Sequence, residues 1–356
     1  LQGANITAFM STISKAAKEG GTPLSIGSYS IDENAEAFLD GDKLFQRHAV
    51  VVGSTGSGKS WCVAKLIEQI ADLSNPNCIL FDIHGEYSTE SFKKSGVSHY
   101  RVANPSDLSK SDKLAENILM LPYWLLTYEE MLAMLLDRSD NNAPNQAMIF
   151  SRTVNEKKRE FLESISETEI LDTFTIDSPI PYSLDDVLDF LREEDERRVP
   201  GARPNTEKDG PFTNKLTRFI QRLETKKQDK RLGFLFGVQS GEMSMDWLNN
   251  FCNALMKGDS EKGVKVIDFS EVPSDILPLI ISLVGRIIFS VQQWTSSDNR
   301  HPISLFCDEA HLYIPEKNIT DSVSQIGLNT FERIAKEGRK YGLGLVVISQ
   351  RPSEVN

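Results

Sequence analysis

The chain has 356 residues, 40% hydrophobic and 25% charged, with a formal net charge of −12. That length holds one large or two small domains with a substantial core, and the acidic balance excludes a broadly basic nucleic-acid surface. Residues 1–48 read as a lead-in, helical to about Lys18, broken at Gly20-Gly21 and resuming at Leu24-Ser25-Ile26-Gly27. An apolar run, Ala49-Val50-Val51-Val52, predicts a strand, and Val63, Leu66, Ile67 and Ile70 at helical spacing predict an amphipathic helix.

Between them lies Gly53-Ser54-Thr55-Gly56-Ser57-Gly58-Lys59-Ser60, which fits the phosphate-binding pattern G-x-x-x-x-G-K-[ST]. The glycines let successive N–H groups face inward at a helix N-terminus. Lys59 then reaches the β- and γ-phosphates, and the Ser60 hydroxyl is placed for Mg²⁺.

From 107 to 254 the pattern turns helical and charged, and reads as an insertion between the motor's first part, 49–106, and its second, 255–356. Within it, Leu119–Leu136 is expected as an apolar helix, Lys157–Ile165 as a polar one, Leu184–Arg198 as a charged one and Arg197–Gly210 as a loop. The basic clusters Lys157-Lys158-Arg159 and Lys226–Arg231 are interspersed with acids and read as solvated faces. Gly263–Ser270 returns to strand, and the apolar stretch Ile276–Trp294, interrupted by Arg286, Gln292 and Gln293, reads as a core helix and not a membrane span.

The second chemical element is His301-Pro302-Ile303-Ser304-Leu305-Phe306-Cys307-Asp308-Glu309-Ala310-His311, a short apolar run ending in paired acids. Asp308 suits a magnesium ligand and Glu309 a base that polarises water against the γ-phosphate. A helix with Phe331, Ile334 and Ala335 on one face follows, then Leu345-Val346-Val347-Ile348-Ser349-Gln350, whose terminal amide can sense the γ-phosphate. Cys62, Cys78, Cys252 and Cys307 show no metal or disulfide spacing and are expected as buried thiols of a cytoplasmic protein. Asn214-Lys215-Leu216-Thr217 lacks the acid expected for guanine selection, which argues against a small GTPase.

The motifs together resemble the HerA family, within the HerA/FtsK group of hexameric DNA-pumping ATPases. The residues carrying the resemblance are Arg47-His48, the GSTGSGKS loop, Asp82-Ile83-His84-Gly85-Glu86-Tyr87, the DEAH tetrad at Asp308–His311, Glu337-Gly338-Arg339-Lys340 and Ser349-Gln350-Arg351-Pro352. The resemblance implies an α/β, RecA-like P-loop NTPase: a mainly parallel central sheet flanked by helices, with an inserted helical subdomain. It implies ATP and Mg²⁺ as cofactors, held by Gly53 through Ser60, with Arg47 and Asp82 close to the nucleotide. Asp308 would hold metal, Glu309 act as base and Gln350 as sensor. Arg339, with Arg333 second, would be an arginine supplied to a neighbour's site. The implied partners are further copies in a homohexamer, duplex DNA in its pore, and a second protein, either a nuclease or a sirtuin-like NADase, with no membrane. A β-barrel before residue 1 and an extension after residue 356 are expected from the family pattern and absent from this chain. Antiphage defence, DNA end resection with a NurA-like nuclease, a conjugation- or partitioning-type DNA pump, and a ring scaffold that licenses an effector all remain readings of these motifs.

Overall fold

The computed structural model describes residues 22–29, 32–73, 76–87, 92, 94–203, 205–257, 263–316 and 322–356, together with 4–6, 8–9 and 12 of the lead-in. The expected break at Gly20-Gly21 lies outside them. Two compact units divide the chain: residues 1–102 with 250–356, and residues 103–249.

The first unit is built on parallel strands. An antiparallel hairpin, β1 (Pro23–Tyr29) and β2 (Asp32–Asp40), leads into the short helix α1 (Gly41–Gln46), whose N-terminus Asp40 caps by accepting from Lys43 N. The sheet strands follow as β3 (Ala49–Val52), β4 (Cys78–Asp82), β5 (Val97–Val102), β6 (Val264–Asp268), β7 (Ile303–Cys307) and β8 (Leu343–Ser349). They pair in the order β3-β8-β7-β4-β6-β5, every pair parallel. Parallel sheets need cover on both faces, which explains the continuous β-branched and aromatic runs of β4, β7 and β8.

Helix α2 (Lys59–Ala71) covers one face, Val63, Leu66, Ile67 and Ile70 packing with Leu80, Val266, Phe306 and Ile348. The alternate set, Ile79, Phe81, Ile303, Leu305 and Leu345, is as fully buried. Helices α3 (Leu277–Trp294) and α4 (Ser322–Glu337) pack on each other, and Gly285 leaves room for the Phe331 ring, which a Cβ there would meet at 3.3 Å. By length and composition α3 could cross a membrane, but 72% of that window is buried inside the unit, the behaviour of a core helix. Ala335, expected on the apolar face of α4, is exposed, because the buried stripe runs through Val323, Leu328, Phe331 and Ile334. Its carbonyl meets His48 Nε2 at 2.9 Å, while Leu345 N donates to His48 Nδ1 at 3.0 Å. An accepting Nδ1 leaves the proton on Nε2, so the ring is neutral, and burial holds its pKa below the ordinary histidine value.

The second unit is mainly helical, with helices at 128–135, 143–164, 184–196 and 217–228 around Trp124, Phe150, Leu191 and Phe219. The apolar run from Leu119 is not one helix. It is buried through Leu126, from the end of the short strand Ile118–Leu119 through irregular and 3₁₀ backbone, and the helix starts only at Tyr128, where Thr127 and Glu130 form a reciprocal cap. The segment read as a loop at 197–210 forms a small antiparallel hairpin, Arg198–Pro200 against Glu207–Asp209. Lys158 is not solvated either: it is buried and donates to the carbonyls of Ile176 and Ser178, both at 2.6 Å.

Candidate active site

Strand register explains why distant motifs meet. Ser349 pairs with Val52, so Gln350 follows β8 beside the start of the glycine loop after β3. Cys307 pairs with Phe81, so Asp308 leaves β7 level with Asp82, itself the register partner of Asp268. One edge of the sheet, at the C-terminal ends of its strands, therefore carries the glycine loop, an amide and three carboxylates.

Gly56 (φ 78°) and Gly58 (φ 87°) take left-handed backbone that other residues adopt at a cost. Gly58 is the N-cap of α2 and supplies no side-chain cap, which leaves the first helical N–H groups for an anion. At Gly53 a Cβ would sit 2.3 Å from Ser57 Oγ, so a larger residue there would require the Ser57 hydroxyl to turn away.

Lys59 opens α2 and points into the site with a side chain 5% exposed. Its ammonium bridges the DEAH pair, at 3.2 Å from Asp308 Oδ1 and 2.7 Å from Glu309 Oε1. Burial pulls the Lys59 pKa down, but the Glu309 and Asp308 carboxylates outweigh that and hold it above the ordinary value. Burial likewise pushes Glu309 up. Hydrogen bonds from Lys59 and Gln350, with the charges of Lys59 and His311, more than reverse it, so Glu309 lies below the usual carboxylate range. In Asp308 burial wins over Lys59 and its pKa is raised.

Gln350 ties the two halves together. Its Nε2 donates to Glu309 Oε1 at 2.5 Å, and its Oε1 accepts from Thr55 Oγ1 at 2.7 Å. Glu309 itself has left-handed backbone (φ 45°, ψ 42°), and its N–H donates to Asp308 Oδ1 at 2.9 Å. A non-glycine residue in that region costs about 1–3 kcal/mol and persists where the surrounding structure holds it. Among the described residues its Oε2 is buried without a hydrogen-bond partner, leaving a lone pair that can take a water.

The Asp82-to-Tyr87 segment folds around its first residue. Asp82 Oδ1 and Oδ2 accept from Glu86 N and Tyr87 N at 3.1 and 2.8 Å, and Gly85 makes the turn at φ 73°. Burial, then the neighbouring Asp268 and Asp308 carboxylates, push the Asp82 pKa up to about 6 against the pull of those two N–H groups. Tyr87 is buried, and burial first, then the Asp308 carboxylate, push its hydroxyl pKa up. His84 is exposed.

The donor set fits a hard divalent cation. The Ser60 hydroxyl and the Asp308 carboxylate are oxygen ligands of the kind Mg²⁺ takes, and the Lys59 ammonium lodged between Asp308 and Glu309 shows that the pocket stabilises positive charge.

The arginines are elsewhere. Arg47 ends α1 before β3 begins, and its carbonyl lies against Gly344 near the start of β8. Arg339 stands in the 3₁₀ turn Gly338–Tyr341 before β8, close enough to His48 to disfavour its protonation. Both belong to the opposite edge of the sheet, so neither is brought to its own chain's glycine loop. Arg333 is stacked on Phe289, 4.9 Å from the ring centroid, and contacts Gln293 and Glu337. Arg339 lines a cleft of about 550 Å³ with Phe45, Pro302, Lys336 and Lys340, and its guanidinium has no hydrogen-bond or ion-pair partner among the described residues.

Three contributors escaped the sequence reading: Thr55 as a partner of Gln350, Asp268 beside Asp82, and Ser349 beside His311. For Asp268 the signal was available, an acid closing the apolar strand Val264–Ile267 in the manner of Asp82 and Asp308.

A glycine loop between strand and helix, acids closing a neighbouring strand and a polar residue at the tip of the strand between them define a RecA-like P-loop NTPase fold. The family model for the central domain of helicase HerA matches residues 24–288, and the chain belongs to that family. The DNA double-strand break repair helicase HerA of Saccharolobus solfataricus is 24% identical over 333 residues, covering 92% of this chain and 55% of that protein. The protein of the same name from Pyrococcus furiosus is 23% identical over 371 residues, covering 95% and 58%. The chain thus spans a little over half the length of these relatives. The structure of VirB4 of Thermoanaerobacter pseudethanolicus superposes with a TM-score of 0.52 at 15% identity, over 92% of this chain and 77% of that one, and supports the fold alone.

Proposed function

We propose that the protein is a Mg²⁺-dependent ATPase that works as a homohexameric ring and moves duplex DNA through its pore. The observation that carries this is the bridging of Lys59, Asp308, Glu309 and Gln350 at one sheet edge, with Arg339 held at the other. A ring formed head to tail sets one protomer's Arg339 edge against its neighbour's glycine loop. Arg47 belongs to the same exposed edge and would face the same nucleotide.

In the reaction, the loop N–H groups and Lys59 bind the triphosphate. Drawing the Lys59 ammonium toward phosphate removes the donor that holds Glu309 Oε1 and lowers its basicity. Glu309 then accepts a proton from water as that water attacks the γ-phosphate and the bond to the β–γ bridging oxygen breaks, releasing ADP and phosphate, while Gln350 orients the carboxylate. Ser60 and Asp308 would hold Mg²⁺, which would neutralise phosphate charge when bound. A neighbour's Arg339 stabilises charge that grows only in the transition state, which couples turnover to assembly.

The acidic chain, at net −12, suits DNA contact confined to a narrow pore, where a few cations repeated six times concentrate their field. For the biological setting we favour antiphage defence with a nuclease or sirtuin-like NADase effector, supported by that charge and by the separate 103–249 unit. The relatives' names, which say DNA double-strand break repair, favour a second setting in DNA repair, for which the family resemblance suggests end resection beside a NurA-like nuclease.

Phosphate release by the purified protein with Mg²⁺-ATP, with and without duplex DNA, tests the reading. Hydrolysis that chelator abolishes and duplex stimulates is expected. Hydrolysis indifferent to DNA would favour a ring scaffold, and none at all would overturn the ATPase.

A further inference from the structure

Glutamate χ3 is a broad torsion, so a carboxylate is aimed by its partners and not by its own rotamer. Glu309 Oε1 is held by Lys59 and Gln350, at 2.7 and 2.5 Å. Both contacts fall on one oxygen, which leaves the plane of the carboxylate free to turn. Oε2 lies 3.3 Å from His311 Nδ1 and makes no hydrogen bond among the described residues. The same nitrogen lies 3.3 Å from Ser349 Oγ, which already accepts from Arg351 N at 3.0 Å.

His311 is well placed for this. It sits in the 3₁₀ turn Ala310–Leu312, directly after Glu309, with a side chain 11% exposed. The turn is pinned at both ends: Leu312 N donates to Glu309 O at 2.9 Å, Ile314 N to Ala310 O at 2.7 Å, and the Tyr313 hydroxyl to Asp308 O at 2.9 Å. Ser349 and Gln350 are consecutive at the tip of β8, so the two oxygens of Glu309 are both referred to that one strand end.

We propose that His311 is a positioning residue for Glu309, fixing the carboxylate through Oε2 and tying it, through Ser349, to the tip of β8; this rests on the hydrolytic reading of the site. The imidazole Nδ1 stands 3.3 Å from both Glu309 Oε2 and Ser349 Oγ, so its N–H can be directed to either. When Nδ1–H is directed to Ser349 Oγ, Oε2 is left to water. Movement of the β8 tip thereby reaches the base from both sides, through Gln350 on Oε1 and through His311 on Oε2.

Steady-state hydrolysis of Mg²⁺-ATP and binding of a fluorescent, non-hydrolysable ATP analogue are measured on the wild-type protein and on His311→Ala, His311→Asn and Ser349→Ala. Asparagine is the informative replacement, because its Nδ2 donor takes the place of Nδ1. His311→Ala is expected to lose roughly ten-fold or more in kcat with KM and analogue affinity within about two-fold of wild type. His311→Asn should regain most of the loss, and Ser349→Ala should show a smaller fall in kcat alone. Wild-type turnover by His311→Ala, or His311→Asn as slow as alanine, would overturn the assignment. So would a parallel loss of kcat and analogue binding, the mark of a merely structural side chain. Should His311→Ala not fold, His311→Asn decides: near wild-type kcat supports the role, and slow turnover with intact binding refutes it. A wild-type protein without hydrolysis fails the ATPase itself, whereas an active wild type beside an equally active His311→Ala fails only the role of His311.

Discussion

Glu309→Gln is expected to bind ATP and assemble as wild type does while losing turnover by a factor on the order of 10³ or more, within the range that transition-state charge and base catalysis supply. The substitution keeps the shape of the side chain and its contact with Gln350, but removes the charge and the basic lone pair. It also replaces the charged acceptor of Lys59 with a neutral amide, while Lys59 retains Asp308 at 3.2 Å. The buried ion cluster is therefore weakened and not orphaned, and folding should survive. Nucleotide affinity should hold or rise, since Lys59 is released toward phosphate. Equilibrium binding of labelled ATP beside phosphate release separates the two effects; normal hydrolysis by this variant would end the assignment of Glu309 as base.

The second large effect belongs to Arg339. Its strand, β8, spans seven residues between that turn and Gln350, roughly 20 Å at strand rise, so Arg339 cannot serve the loop of its own chain. Arg339→Ala should cut turnover about 10³-fold, as removal of a transition-state arginine does elsewhere, with folding and ATP binding kept, because the guanidinium has no hydrogen-bond or ion-pair partner among the described residues to lose. Lys59→Ala should be equally inactive for a different reason. Mixed together, the two should recover activity that neither has alone: wherever a Lys59→Ala subunit offers its intact Arg339 to the intact loop of an Arg339→Ala neighbour, one complete site forms. Phosphate release across mixing ratios should pass through a maximum near equal amounts. A flat line at the level of the inactive parents would exclude Arg339 as a residue supplied between subunits. Arg333 is the poorer choice for that duty, since leaving Phe289, Gln293 and Glu337 would forfeit contacts it already makes.

The residues legible in advance were those whose chemistry is written locally. The GSTGSGKS loop, the paired acids after an apolar run and the amide after a β-branched run each carry their meaning within a few positions. What escaped depends on register between strands far apart in sequence. Nothing near Thr55 announces a bond to Gln350, and nothing near Ser349 announces His311, until β3, β8 and β7 lie side by side. Local polarity misled in the same way. Lys158 looked solvated within a charged helix, yet its ammonium satisfies two buried carbonyls. Lys265, in the middle of β6, is fully buried against Asn77 and the Met256 carbonyl, its pKa pushed down to about 8 by burial. The apolar run at Leu119–Leu126 failed as a helix because Pro122, which lacks the N–H a helix interior needs, divides the strand end at Leu119 from the 3₁₀ turn Tyr123–Leu125.

The most direct measurement is a structure of the protein assembled with Mg²⁺ and a non-hydrolysable ATP analogue. It should show the terminal phosphate within hydrogen-bond reach of Lys59 and Gln350, the metal on Ser60 and Asp308, Glu309 facing the phosphate, and Arg339 of an adjacent copy across from it. A nucleotide seated away from the glycine loop, or a phosphate approached by no second copy, would contradict the account.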